Sequence, residues 1–251
     1  MRALCFALLL AFTAFSPASA AETPLRVGMD IPYPPFAYKD ADGNLAGFDV
    51  DITRALCAHI KRECVIVAES FDDLVPLLAK GELDMVVAGL AATPERMKLV
   101  DFTSRYYRSH SIFVETAGAG LDTSPTGLAG KRVGAQAGTA QTDFLKREYP
   151  GAVLVTRPEF EELMDALKNG EIDAALIEGL SGFTYLKTPE GVHFETAGEP
   201  VQDPVLSAAS SIAVSKKLPR LTRALNAAIE TIRHNGEYAK INRKYFDFNI
   251  Y

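Results

Sequence analysis

The chain has 251 residues, 48% of them hydrophobic, enough apolar material to bury a core in one large domain or two small ones. Its 26 basic and 32 acidic side chains give a net charge of −6, and Lys and Arg are scattered rather than grouped. That distribution excludes nucleic-acid binding, which needs a basic stripe to displace phosphate counterions.

Residues 1–20 read as a signal peptide. Arg2 supplies the positive n-region, Ala3 to Ala14 is apolar, and Ala18-Ser19-Ala20 gives a small-x-small cleavage site. The apolar run is too short to span a bilayer and no later segment approaches that length, so a mature protein in the periplasm is expected. Cleavage after Ala20 removes one charged residue, Arg2, and takes the net charge to −7.

From there short apolar runs alternate with amphipathic stretches, the pattern of an α/β protein. Leu25 to Val27 reads as a buried strand, and Phe48, Ile52, Ala55, Leu56, His59 and Ile60 fall on one face of a helix. Cys57 and Cys64 lie at that helix's end. In an oxidising compartment such a pair reads as a disulfide, worth about 2.5 kcal/mol by loop closure. A metal or redox pair would want Cys-x-x-Cys spacing and histidine partners, but His59, His110, His193 and His234 are scattered. Val65 to Val67 and Met85 to Ala88 read as further buried strands, and the Gly/Thr/Ser-rich stretch Thr116 to Gly130 as a surface connection. Val133, Val153 to Val155, Ala174 to Ile177 and Ile212 to Val214 complete the strands. Asp143 to Tyr149 and the face Phe160, Leu163, Met164 and Leu167 give helices between them; Pro219 to Tyr245 gives two more, broken near Gly236.

An internal echo bears on the organisation. LLAKGELDMVVAGL, ending at Leu90, resembles ALKNGEIDAALIEGL, ending at Leu180, with Gly81 matching Gly170, Glu82 matching Glu171 and Asp84 matching Asp173. Arg26-Val27-Gly28 likewise resembles Arg132-Val133-Gly134. Helix-glycine-strand grammar can produce such likeness by coincidence. The other reading is two similar α/β lobes facing each other. Ligands of open α/β sheets bind beyond the carboxyl ends of the strands, so two lobes would share a cleft there.

Several side chains then fall at the cleft. Thr93-Pro94-Glu95 is a good helix start, with Arg96 one turn in. Its fork of donors suits a carboxylate, although a solvated surface arginine is equally compatible with the position. Gly138-Thr139-Ala140-Gln141 offers a second helix start from the opposite lobe. Asp30 and Glu178 each follow a strand, as plain turn formers or as paired carboxylates for charge recognition or acid/base work. Tyr33 and Phe71 fit either a sandwich around a flat group or the core. No Gly-x-Ser-x-Gly elbow, Walker loop or dinucleotide fingerprint occurs, so neither cofactor nor metal is expected.

Read together, LRVGMDIPYPPF, GFDVDITRALC, SFDDLVPLLAKGELD, TPERMKLVDFT, GKRVGAQAGTAQ, GEIDAAL and KYFDFNIY resemble the polar amino-acid solute-binding proteins of ABC importers, above all the lysine/arginine/ornithine- and histidine-binding proteins. The resemblance covers essentially the whole mature chain and extends to the Cys57/Cys64 spacing. It implies a type II periplasmic binding protein fold, two α/β lobes joined by a two-crossover hinge, with lobe 1 at residues 21–109 plus 208–251 and lobe 2 at 110–207. It further implies that Arg96 takes the ligand's α-carboxylate, helped by backbone N–H groups near Ala91 and Ala140. Asp30 then meets a cationic ligand side chain flanked by Tyr33 and Phe71. Glu178 accepts from the α-ammonium, and Gln141 is a polar contact of lobe 2. Ala88, Gly89 and Ala91 replace the family's serines, Glu178 is longer than the usual Asp, and Gln136 and Ala140 replace Leu and Thr. Two carboxylates against one guanidinium favour arginine, lysine or ornithine, and the lost hydroxyls leave room for a larger derivative such as an opine. The resemblance implies a monomer that closes on its ligand and delivers it to a membrane permease without chemistry. The alternative of another class is an enzyme like the periplasmic cyclohexadienyl dehydratases, with Glu178 as general acid.

Overall fold

The computed structural model describes residues 23–207 and 209–251; the expected signal peptide lies outside them. The first strand, β1 (Leu25–Met29), precedes a small hairpin of β2 (Tyr38–Lys39) and β3 (Leu45–Ala46). Then come α1 (Phe48–His59), β4 (Cys64–Ala68), α2 (Phe71–Lys80), β5 (Met85–Val86), α3 (Pro94–Leu99) and β6 (Asp101–Arg108). A second set follows: β7 (Ser111–Thr116), β8 (Arg132–Gln136), α4 (Ala140–Glu148), β9 (Val153–Arg157), α5 (Phe160–Lys168), β10 (Ala174–Glu178), α6 (Gly179–Tyr185) and β11 (Phe194–Ala197). The chain ends with β12 (Ala209–Val214), α7 (Pro219–His234) and α8 (Glu237–Tyr245).

The strands form two five-stranded sheets, ordered β4-β1-β5-β12-β6 and β11-β7-β10-β8-β9. Each has a parallel trio, β4-β1-β5 or β9-β8-β10, extended by antiparallel strands. Helices cover the faces and bury separate apolar cores, one centred on Phe48, Leu56, Ile229 and Tyr106, another on Phe160, Leu163 and Ile177. The two sheets make two α/β lobes. No helix among the described residues is long and apolar enough to cross a membrane.

The sequence echo is a repeated piece of architecture. In one lobe the Arg26 backbone N–H donates to Asp84 Oδ2 at 2.8 Å, and Nη2 to Asp84 Oδ1 at 3.0 Å and the Gly81 carbonyl at 2.6 Å. In the other, the Arg132 backbone N–H donates to Asp173 Oδ2 at 2.7 Å, Nη2 to Asp173 Oδ1 at 2.6 Å and Nη1 to the Gly170 carbonyl at 2.7 Å. Each clasp ties the start of one parallel strand to the glycine turn that launches its neighbour. The Cys57–Cys64 disulfide joins the end of α1 to the start of β4.

Four local expectations are corrected. β4 and β9 are sheet edges rather than buried strands, so Val65 and Val153 face solvent. His59 is exposed and lies 2.7 Å from Glu237 on α8, off the apolar face. Helix α4 begins at Ala140 instead of Asp143, because Thr139 caps it and accepts from the Thr142 N–H at 3.3 Å. Met85 to Ala88 gives only two residues of strand, and Ala88 belongs to the loop beyond it.

Candidate functional site

The carboxyl ends of the parallel strands point at one another across the lobes. Asp30 follows β1, Ala88 to Ala91 follow β5, Gln136 to Thr139 lie at and beyond the end of β8, and Glu178 ends β10. Between them lie two adjoining chambers that share Phe71, Gly89, Gln141 and Glu178. The first, with about 460 Å³ of atom-free space, is lined by Asp30, Tyr33, Asp49, Phe71, Ala88, Gly89, Tyr107, Gln136, Thr139, Gln141 and Glu178, among others. The second is lined by Ala91, Arg96, Ala140, Gln141 and Glu178, with Ser109 to Ser111, Leu206 and Ser210. All twelve side chains singled out for the site therefore line one crevice, and Arg96 and Glu178 share a chamber.

Arg96 sits in the first turn of α3, where Thr93 Oγ1 accepts its backbone N–H at 3.3 Å. Nη1 donates to the Ala91 carbonyl at 3.0 Å, and Nη2 reaches across the cleft to the Gly138 carbonyl at 2.9 Å. The guanidinium carbon stands 5.6 Å from the centroid of the Phe71 ring. No carboxylate pairs with Arg96 among the described residues. Burial pulls its pKa below the ordinary value, against the field of Asp143. A half-buried cation held by carbonyls, with N–H groups to spare, is a receptor for an anion.

The carboxylates have the opposite problem. Asp30 is 4% exposed; its Oδ2 accepts from Gln136 Nε2 at 2.8 Å, while Oδ1 is shielded and partnerless. Burial raises its pKa to about 7, opposed by the Gln136 hydrogen bond and reinforced by Glu159 and Asp72. Glu178 caps α6, accepting from the Ser181 N–H at 2.7 Å through Oε2, and its Oε1 is likewise shielded without a partner. Burial pushes its carboxyl above the ordinary range. Asp49 in the first turn of α1 adds a third such oxygen, Oδ1, and burial raises its pKa to about 7 as well. These are three acceptors awaiting donors, and each gains from a cation.

Backbone geometry keeps the crevice open and the lobes close. Gly89 has φ +62°, and a Cβ built there would collide with Tyr107 Oη. Gly138 has φ +69° and presents its Cα side to Asp72 of the facing lobe, where a Cβ would come within 2.8 Å of the Asp72 backbone. Tyr33 packs edge-on against Phe160 of the other lobe at 5.3 Å. The Thr139 hydroxyl is committed to capping and to the Gln136 carbonyl, so it contributes shape rather than a free donor. Gln141 Nε2 donates to Ser111 Oγ at 3.0 Å.

Several wall residues escaped the sequence reading, among them Phe36, Ser109, Ser111, Ser210, Tyr107 and Asp49. Tyr107 lies in a strand whose pattern gave no separate signal. Asp49 was not singled out, yet its spacing to Ile52, Thr53 and Leu56 puts it on the buried face.

The sequence model of the bacterial extracellular solute-binding proteins, family 3, matches residues 25–248. The chain belongs to that family. It is 38% identical to an L-arginine-binding protein of Pseudomonas aeruginosa over 94% of this chain and 92% of the relative. Among solved structures, it is similar to an ancestral arginine-binding protein bound to arginine, with TM-score 0.84 and 30% identity over 90% of this chain and all of that one. It is also similar to an ancestral amino-acid-binding protein that is a precursor of cyclohexadienyl dehydratase, with TM-score 0.79 and 27% identity over 89% of this chain and 96% of that one.

Proposed function

We propose that this protein is the periplasmic receptor of an ABC importer, capturing a cationic amino acid of the arginine, lysine, ornithine or histidine kind. The observation that carries the reading is the pairing, in one crevice between two lobes, of an uncompensated guanidinium with shielded, partnerless carboxylate oxygens. In this reading Arg96 takes the α-carboxylate, Glu178 the α-ammonium, and Asp30 the distal cation beside Tyr33 and Phe71. The relatives that bind arginine support it. The lobes are taken as residues 21–109 plus 208–251 and 110–207. A ligand held by both stabilises the closed arrangement by its differential affinity, and the closed monomer is what the permease engages. The small side chains at Ala88, Gly89, Ala91 and Ala140 also leave room for a bulkier derivative such as an opine.

The direct test is titration calorimetry of the purified mature protein against L-arginine, L-lysine, L-ornithine, L-histidine and neutral and acidic amino acids. Selective binding of cationic ligands is expected. A response confined to acidic or aliphatic ones would reject the charge argument.

A second reading, an elimination enzyme, draws on the raised pKa of Glu178 and the likeness to a dehydratase precursor. Arg96, Glu178 and Asp30 are already accounted for by a bound zwitterion with a cationic side chain, which makes the receptor the stronger reading. Incubation with prephenate and arogenate separates the two: product formation would favour the enzyme.

A further inference from the structure

Resting on that receptor reading, we propose that Gln136 is a specificity-determining residue that makes the distal end of the cleft select a guanidinium over a primary ammonium. Gln136 closes β8, is 6% exposed, and lines the first chamber. Its Nε2 lies 2.8 Å from Asp30 Oδ2 and 3.0 Å from the Pro158 carbonyl. A carbonyl only accepts, so the Pro158 contact fixes which end of the amide is nitrogen. Both N–H groups are thereby committed, one to each acceptor. Oε1 has no partner among the described residues and is not sealed off, which leaves it as an acceptor of fixed direction in the chamber wall.

The distal end thus holds two partnerless acceptors, one on each side of a single hydrogen bond: Gln136 Oε1, open to the chamber, and Asp30 Oδ1, shielded behind it until a donor draws it out. Gln136 offers this end no free donor. A guanidinium is a planar fork that donates from separate nitrogens and reaches two acceptors at little entropic cost. A primary ammonium is a compact, strongly hydrated point donor that gains mainly from the charge of Asp30. A urea end, as in citrulline, carries a carbonyl oxygen that would find only acceptors, and an unmatched polar group of this kind is rejected strongly.

The test is calorimetric titration of the mature protein and its Gln136→Leu and Gln136→Met variants with L-arginine, L-lysine and L-citrulline. The Gln136–Asp30 bond also joins the lobes, so its loss weakens every ligand alike; the arginine-to-lysine ratio cancels that common part. The expected result is wild-type preference for arginine, no detectable citrulline binding, and a fall of at least tenfold in the ratio in either variant. Equal loss of both ligands, or an unchanged ratio, would overturn the role of Gln136 while leaving the receptor reading intact. Wild type that binds neither arginine nor lysine would overturn the receptor reading itself. Melting curves of the two variants show which is folded well enough to titrate.

Discussion

Asp30→Asn should make the protein more stable and a worse receptor at the same time. The carboxyl of Asp30 has its pKa raised from 3.8 to about 7 by burial. The folded chain therefore binds a proton that the unfolded chain has released between those values. Stability is fully present below about pH 4 and is lost as pH rises through 7; by pH 8 the difference of about 3 pH units amounts to roughly 4 kcal/mol. Asparagine lifts that penalty. It keeps an acceptor for Gln136 but places an N–H where Oδ1 has no partner, which costs about 1–3 kcal/mol. The net gain for the ligand-free variant at pH 8 is roughly 1–3 kcal/mol, and at pH 4 the sign reverses. Urea unfolding at the two pH values reads this directly. In calorimetry the same change should weaken a cationic ligand by roughly 30- to 1000-fold, the cost of removing one partner of a buried charge pair, and a neutral one far less. A variant that is destabilised equally at both pH values would refute the assignment of a strained, buried carboxylate. Equal weakening of both ligand types would remove Asp30 from cation recognition.

Arg96→Ala should lower affinity for any amino acid by about 2–5 kcal/mol, because the ligand's carboxylate, enclosed on closure, loses its cation; calorimetry checks it, and an unchanged affinity would place the carboxylate elsewhere. Gly89→Ala is expected to lower the melting temperature through a strained positive φ and the clash with Tyr107 Oη, and adding Tyr107→Phe should recover part of the loss. Replacing Cys57 and Cys64 together by serine should cost about 2.5 kcal/mol in urea unfolding and leave ligand affinity unchanged, since neither residue lines the cleft.

What could be read from the chain was what is written locally. Thr93, Pro94 and Arg96 announce a helix start within four residues, and the Arg26/Asp84 and Arg132/Asp173 echo betrays a repeated strand-helix-strand unit. Features that depend on distant partners left no such mark. Gln136 looked like a substitution of an apolar position, and its bond to Asp30 spans 106 residues of sequence and the gap between lobes. Gly89 read as a lost serine until Tyr107, from a different strand, proved to fill the place of its side chain. The edge position of β4 and β9 was hidden because three apolar residues in a row look the same at the rim of a sheet as at its centre. Asp49 shows the converse case: its helical spacing to Ile52, Thr53 and Leu56 is legible, and only its charge sets it apart from the apolar residues of that face.

The place of β12 governs how the molecule comes together. That strand sits between β5 and β6, yet it is supplied only after residues 111–197 have built the other sheet. A chain emerging from its N-terminus therefore holds β6 with no neighbour to pair with, while β7 to β11 form an uninterrupted run of strands that pair only among themselves, their core closed by Val201 and Leu206 just beyond. The middle sheet-building segment is free to assemble first, and the outer one is completed by a late insertion. Truncation before Ala209 should thus leave one sheet intact and the other split down its middle.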